Sequence, residues 1–229
     1  MFWRLICILF ALNACATDGD IGARYVGAKY VLDPLGEGFG YDPDPVIRDD
    51  AFDCTTFVET VLADGDVDKL TRIRYKDGIV DWRARNHFIE TDWIDNNSDV
   101  IENVSRVYGP TSIRNVHIDK RAWARATHGI NIDVAPRDVY LEYIAYDDLN
   151  AIDNDVPLVV LYVVGPREDT GKLATDIAVV HMGFLLPGGQ IFRHASTGRG
   201  VVDDNFAQYV AKRKKMKNNI GVVFLGIKK

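Results

Sequence analysis

The chain has 3 cysteines and 5 histidines, and these are the residue types most suited to nucleophilic chemistry. Cys54 lies in Phe52-Asp53-Cys54-Thr55-Thr56-Phe57-Val58-Glu59, which reads as the first turn of a helix. A helix N-terminus favours negative charge, and the thiolate is the nucleophilic form of cysteine. Such a thiol needs an imidazole to take and return a proton, and a third group to orient the imidazole. The histidines are His87, His117, His128, His181 and His194. His181 interrupts a strongly apolar run from Ile177 to Leu186. On two-residue alternation it shares a face with Val179 and Gly183, and Gly183 leaves open space beside it. His194 ends the next run, in Arg193-His194-Ala195-Ser196, and Pro187-Gly188-Gly189 between the two is a turn sequence. The two runs therefore read as a hairpin that sets the imidazoles on neighbouring strands, one as base and the other as its orienter. Taken alone, a strand histidine is more often a satisfied structural residue, and a helix-start cysteine more often a small buried hydrophobe. A zinc site from the same residues would need a fourth ligand, and none of them has the close spacing usual for zinc, so no metal is expected.

The elements around these residues follow from pattern. Met1-Phe2-Trp3-Arg4 precedes a short apolar run, Leu5 to Ala14, with a small residue before Cys15. One positive charge, a short hydrophobic stretch and a small residue describe an export signal. The run is well short of the ~20 apolar residues a membrane-spanning helix needs. Its ending, Leu12-Asn13-Ala14-Cys15, resembles a bacterial lipobox, in which the cysteine is lipidated and becomes the new N-terminus. Residues 1–14 are thus expected to be a signal peptide cleaved before Cys15, residues 15–20 a tether, and residues 21–229 one domain. Ala16 is no inner-membrane retention signal, so a lipid on Cys15 points to the outer membrane. Cys7 leaves with the leader, and Cys54 is then the free thiol of the domain. Net charge is −6 with 27 basic and 33 acidic residues, which argues against a nucleic-acid partner. The basic run Lys212-Arg213-Lys214-Lys215-Met216-Lys217 reads as a solvated helix end.

Asp53 is a good N-cap for a helix running to Ala63, with Phe57, Val58, Val61 and Leu62 on one face. Residues 33–50 are rich in Gly, Pro and Asp and read as loop. Residues 66–150 look mixed, with short amphipathic pieces. From residue 156 the signal becomes β: Pro157–Val164, Ile177–Leu186, Gln190–His194 and Ile220–Ile227. Helices first and adjacent antiparallel strands later give an α+β domain with a central sheet.

Asp53-Cys54-Thr55 opening a helix, His181-Met182-Gly183-Phe184 in a strand and His194-Ala195-Ser196 on the next together resemble the NlpC/P60 papain-like cysteine peptidases. Thr55-Thr56 stands where typical members have Ser-Gly. That departure, with Tyr75-Lys76-Asp77-Gly78, Arg85-Asn86-His87-Phe88, Asp92-Trp93-Ile94 and Asn96-Asn97, is similar to the DUF1460, N-acetylmuramoyl-L-alanine amidase-like branch, from about Gly27 to Ile227. The resemblance implies a papain-like α+β fold with N-terminal helices on a central antiparallel sheet. It implies Cys54 as nucleophile, His181 as general base and His194 as its orienter, with no cofactor. The Cys54 backbone N–H would supply part of an oxyanion hole, and Tyr30 of Gly27-Ala28-Lys29-Tyr30 a second donor. Arg85, His87 and Trp93 would line the substrate cleft, Arg85 to pair with a carboxylate and Trp93 to stack on a sugar. The substrate implied is peptidoglycan or a muropeptide, cut at the amide between N-acetylmuramic acid and L-alanine. A stem-peptide endopeptidase, an inactive wall-binding lipoprotein and thioester-based acyl transfer stay open as alternatives.

Overall fold

The computed structural model describes residues 21–167 and 171–228. The expected leader, Cys15 and the tether lie outside the described residues.

The first elements exist to position a helix start. β1 (Lys29–Tyr30) and β2 (Ala51–Phe52) form a small parallel pair in which Tyr30 lies opposite Phe52. The chain then enters helix α1 (Cys54–Ala63) through a double cap. Asp53 Oδ1 accepts from the Thr56 backbone N–H at 2.8 Å, and Thr56 Oγ1 accepts from the Asp53 N–H at 3.0 Å. Threonine here plays the part usually taken by Glu or Gln at the third helical position. The sequence pattern predicts one apolar face for α1, but every residue from Thr56 to Ala63 is buried. The reason is that α1 is a central helix, packed on the sheet on one side and on α2 (Val67–Arg74) on another. Glu59 lies in this interior and accepts from Arg74 Nε at 3.2 Å. Burial, only partly opposed by Arg74, pushes the Glu59 carboxyl up to about 7.

The remaining elements complete an α+β domain. They are a π-helical turn (Ile89–Trp93), α3 (Ile94–Asn96), β3 (Ile101–Asn103), α4 (Ser105–Tyr108), β4 (Ser112–Ile118), α5 (Lys120–His128) and β5 (Arg137–Ala145). Then follow β6 (Leu158–Val164), β7 (Val179–Leu185), β8 (Ile191–Ser196), β9 (Gly200–Asn205), α6 (Phe206–Lys214) and β10 (Asn219–Ile227). The large sheet runs β4-β5-β10-β6-β7-β8-β9, and β3 pairs with β10. All its pairings are antiparallel. The four C-terminal β runs fall where the sequence puts them. Two further long strands, β4 and β5, come from the stretch that reads as mixed. β4 alternates buried Arg114, Val116 and Ile118 with exposed Ile113, Asn115 and His117, so its half-polar pattern resembles a loop more than a strand.

The sheet separates two cores. On one face α1 and α2 cover Val159, Leu161, Met182, Phe184, Ala195 and Val223. On the other, Tyr209 of α6 joins Val160, Tyr162, Leu185, Phe192 and Phe224. β7 crosses between these faces with one extra residue. Tyr162 lies opposite His181 and Val163 opposite Val179, so Val180 is a bulge. Regular alternation would put Val179 on the face of His181. The bulge instead sends Val179 into the α1 core and leaves His181 beside Tyr162 and Tyr209. A bulge re-aims side chains in this way, and bulges are common beside active sites.

Candidate functional site

Cys54 occupies the first helical position of α1 and is half-buried. Its sulfur lies 4.0 Å from Thr55 Oγ1. The backbone N–H groups of Cys54 and Thr55 lie in the first turn of α1, where a helix offers them no backbone acceptor, and the Cys54 N–H interacts with its own sulfur. Sequence position favours a thiolate here, and the Met182 backbone N–H acts in the same direction. Two effects outweigh them. Burial, and then the neighbouring Asp53 carboxylate, push the Cys54 thiol up to about 11. The resting group is therefore a thiol: removing a small anion from water costs more than one helix terminus returns.

Behind the thiol runs a chain of hydrogen bonds. His181 Nε2 lies 2.8 Å from His194 Nδ1, and His194 Nε2 lies 3.0 Å from Asp204 Oδ2. Arg199 reaches Asp204 with two nitrogens, at 2.6 and 2.9 Å. Arg199, and then His194, hold the Asp204 carboxyl well below the usual carboxylate range. An ionised carboxylate can only accept, so His194 must carry its proton on Nε2. Its Nδ1 is then an acceptor and takes the Nε2–H of His181. This leaves the lone pair of His181 on Nδ1. Burial, and then His194, hold His181 well below the ordinary imidazole range, so it rests neutral. His194 is also lowered by burial, against the pull of Asp204.

The hairpin fixes this relay through a glycine. β7 and β8 pair at Phe184 with Arg193 and at Leu185 with Phe192, which sets Gly183 against His194. A Cβ on Gly183 would lie 2.6 Å from the Arg193 carbonyl oxygen and 2.7 Å from His194 Cβ. Its missing side chain is therefore filled by β8, not left open for substrate as the sequence suggests. The strands approach closely enough for His194 to reach diagonally to His181, two residues along. Tyr209 of α6 packs on the other side of the pair, its ring 4.8 Å from His194 and 5.9 Å from His181.

Cys54 and His181 line one cavity of about 260 Å³, together with Thr55, His87, Phe88, Ile89, Glu90, Trp123, Ile177, Val179, Val180 and Met182. Tyr30 stands close enough to Cys54 for their charges to interact, and its hydroxyl bonds to Thr197. Of the remaining sequence candidates, only His87 reaches the cavity. Its Nε2 lies 2.8 Å from the Trp82 carbonyl oxygen, and its ring packs 4.4 Å from Trp82 and 4.8 Å from Trp123. Arg85 is corrected: its guanidinium is buried and already holds Glu37 at 2.6 Å, Asp42 at 2.6 Å and Asp33 at 3.3 Å. It ties the loop of residues 33–42 to the domain and has no fork left for a substrate carboxylate. Trp93 is corrected as well, being fully buried in the core beneath α1, where no sugar can stack on it.

Three residues absent from the sequence reading take their places in and around the site. Trp123 of α5 supplies the aromatic wall, its ring stacked at 5.7 Å and 4° on Trp82. Asp204 on β9 anchors the histidine relay. Glu90, in the π-helical turn, puts a buried carboxylate in the cavity wall. For Asp204 a signal existed: Thr197-Gly198-Arg199-Gly200 is a turn between two β-prone stretches, which makes a second hairpin after His194. Among the described residues no cluster of His, Cys, Asp and Glu could hold a metal ion.

The fold has counterparts among solved structures. A Legionella pneumophila protein of the DUF1460 family superposes with a TM-score of 0.84 at 22% identity, over 93% of this chain and 88% of that one. An N-acetylmuramoyl-L-alanine amidase from Bacteroides uniformis superposes with a TM-score of 0.71 at 23% identity, over 93% of this chain and 98% of that one. At such identities the likeness establishes a shared fold. No curated protein matches the chain. Over residues 20–220 the sequence matches one family, and on that match the chain belongs to the AmiA-like, N-acetylmuramoyl-L-alanine amidase-like proteins.

Proposed function

We propose that the protein is a cysteine-dependent amidase of papain-like NlpC/P60 architecture, acting on peptidoglycan fragments at the bond between N-acetylmuramic acid and L-alanine. One observation carries this reading: the Cys54 thiol and His181 line one cavity, and a His–His–Asp relay leaves the basic nitrogen of His181 unengaged.

In this mechanism His181 Nδ1 takes the Cys54 proton as sulfur attacks the amide carbonyl, so thiolate forms only when substrate is present. A neutral thiol and a neutral imidazole suit this concerted transfer, and the resting state is the neutral pair. The new S–C bond gives a tetrahedral oxyanion. The N–H groups of Cys54 and Thr55, at the open end of the helix, take that role, with the Tyr30 hydroxyl as a further donor. The C–N bond then breaks as His181 returns the proton to the leaving amine of L-alanine, and an acyl-thioester stays on Cys54. Water, deprotonated by His181, releases the muramic acid carboxylate and restores the thiol. His194 and Asp204 keep the relay in one tautomer throughout, as the orienting partner does in a catalytic triad.

The substrate class follows from the family to which the chain belongs. An export leader and a lipid on Cys15 would place the enzyme in the periplasm at the outer membrane, beside that substrate. The test is digestion of defined muropeptides followed by mass spectrometry. Release of intact stem peptide with a free L-alanine amine supports the reading. A cut within the stem would make the protein an endopeptidase, and no cut would make it an inactive wall-binding protein.

A further inference from the structure

In a regular strand, successive backbone N–H groups point to opposite sides. The entry to β7 breaks that rule. The N–H groups of Ala178 and Val179, consecutive in sequence, both donate to Glu90 Oε1, each at 2.6 Å. The Ala178 carbonyl meanwhile keeps its bond to the Val164 N–H at 2.8 Å. Consecutive donors can converge on one oxygen only where the backbone leaves β geometry, and the register places the Val180 bulge at this point. The bulge also separates Val179, in the α1 core, from His181, on the relay face. Glu90 is 5% exposed and sits on the π-helical turn of Ile89–Trp93, whose Trp93 is locked in the core. Hydrogen bonds from two N–H groups to an acceptor on a rigid turn fix the dihedrals between them.

We propose that Glu90 is a positioning residue for His181: its carboxylate gathers the two backbone N–H groups at the β7 bulge and thereby aims the imidazole at His194 and the cavity. The role rests on the amidase reading above only for its effect on turnover. Its effect on the histidine is independent of substrate. Glu90 touches neither ring of the relay, so it acts through three residues of backbone. The demand is for an acceptor of the right reach, and charge is secondary.

Two variants separate reach from charge. Glu90→Gln keeps the length and one carbonyl oxygen able to accept both N–H groups. Glu90→Asp keeps the charge but is a methylene too short to hold both. With muropeptide substrate, Glu90→Gln should keep kcat within about threefold, while Glu90→Asp loses roughly 10- to 100-fold in kcat with KM nearly unchanged, the scale of a misplaced catalytic group. Without substrate, nitrogen NMR of the imidazoles should show His181 protonated at Nε2 in the parent and in Glu90→Gln. In Glu90→Asp it should show a tautomer mixture, with faster exchange of the Ala178 and Val179 amides. The proposal is overturned if Glu90→Asp leaves the His181 tautomer and those amides unchanged. It is equally overturned if Glu90→Gln is as inactive as Glu90→Asp while the amides stay protected, because the carboxylate charge would then be what matters. A parent protein that cleaves no muropeptide would overturn the amidase reading alone, since the NMR comparison stands without turnover.

Discussion

The molecule holds two groups of packed histidines, and they differ in what sits on the far nitrogen. His181 and His194 are 4.8 Å apart between ring centroids and are tied through Asp204 to Arg199. His87 and His128 pack against Trp82 and Trp123. There His87 Nε2 meets the Trp82 carbonyl oxygen and His128 Nδ1 meets the Tyr41 hydroxyl. Burial lowers the imidazoles of both groups. Burial therefore does not distinguish them. The carboxylate does, because its charge stabilises an imidazolium formed in passing, whereas a neutral carbonyl or phenol orients a ring without that charge. On the proposed mechanism the first group moves protons, and the second shapes a wall.

The largest test of this contrast removes the reacting pair. Cys54→Ser or His181→Ala should lower kcat/KM on muropeptides by at least about 10³-fold, with the thermal midpoint of Cys54→Ser little changed. An active Cys54→Ser variant would end the nucleophile assignment. Next comes the resting thiol. With a pKa near 11, Cys54 should react with iodoacetamide at pH 7 on the order of 100-fold more slowly than an ordinary cysteine, and the rate should rise with pH toward 11. Faster alkylation than a model thiol would show a standing thiolate, and the concerted proton transfer would have to be abandoned.

Asp204→Asn comes third. The amide can donate where the carboxylate only accepts, so His194 is free to turn its protons around. A loss of about 10- to 100-fold in kcat is expected, smaller than for His181 because the change is one imidazole further away. Activity within twofold of the parent would remove Asp204 from the relay.

How much of this was legible in the sequence follows from which residues break a pattern. His181 and His194 interrupt apolar runs and Cys54 follows an N-cap, so each stands out from its neighbours. Asp204 sits in Val202-Asp203-Asp204-Asn205, where one exposed and one half-buried acid look alike. The Val180 bulge leaves no trace in composition, because one more valine in a valine-rich run is invisible until β6 sets the register. Arg85 and Trp93 show the converse. Their residue types suit a substrate cleft, but type does not reveal that Glu37 and Asp42 already claim the guanidinium, or that the core claims the indole. The fold class was readable because β6 and β10 are nearly continuous apolar strands. β4 was not, because half of its residues face water.

The smallest effect belongs to the other histidine group. His87→Phe keeps a ring between Trp82 and Trp123, so turnover should fall by no more than a few-fold. The same variant carries a second signature, in stability. Burial, and then Lys120, hold His87 well below the ordinary imidazole range, so it is neutral when folded. Unfolded, it titrates near pH 6.5. Its contribution is therefore fully present above that pH and is lost as pH falls below it, because the unfolded chain binds the proton more readily. Glu59, raised to about 7 by burial, runs the opposite way and loses stability as pH rises from its unfolded value toward 7. The two overlap, so the diagnostic quantity is the difference between variant and parent. The thermal midpoint of His87→Phe should fall less than that of the parent between pH 7 and pH 5. A parallel pair of curves would mean that His87 binds its proton equally readily in the folded and the unfolded chain. A loss of turnover as large as that of Asp204→Asn would mean that the aromatic group does more than form a wall.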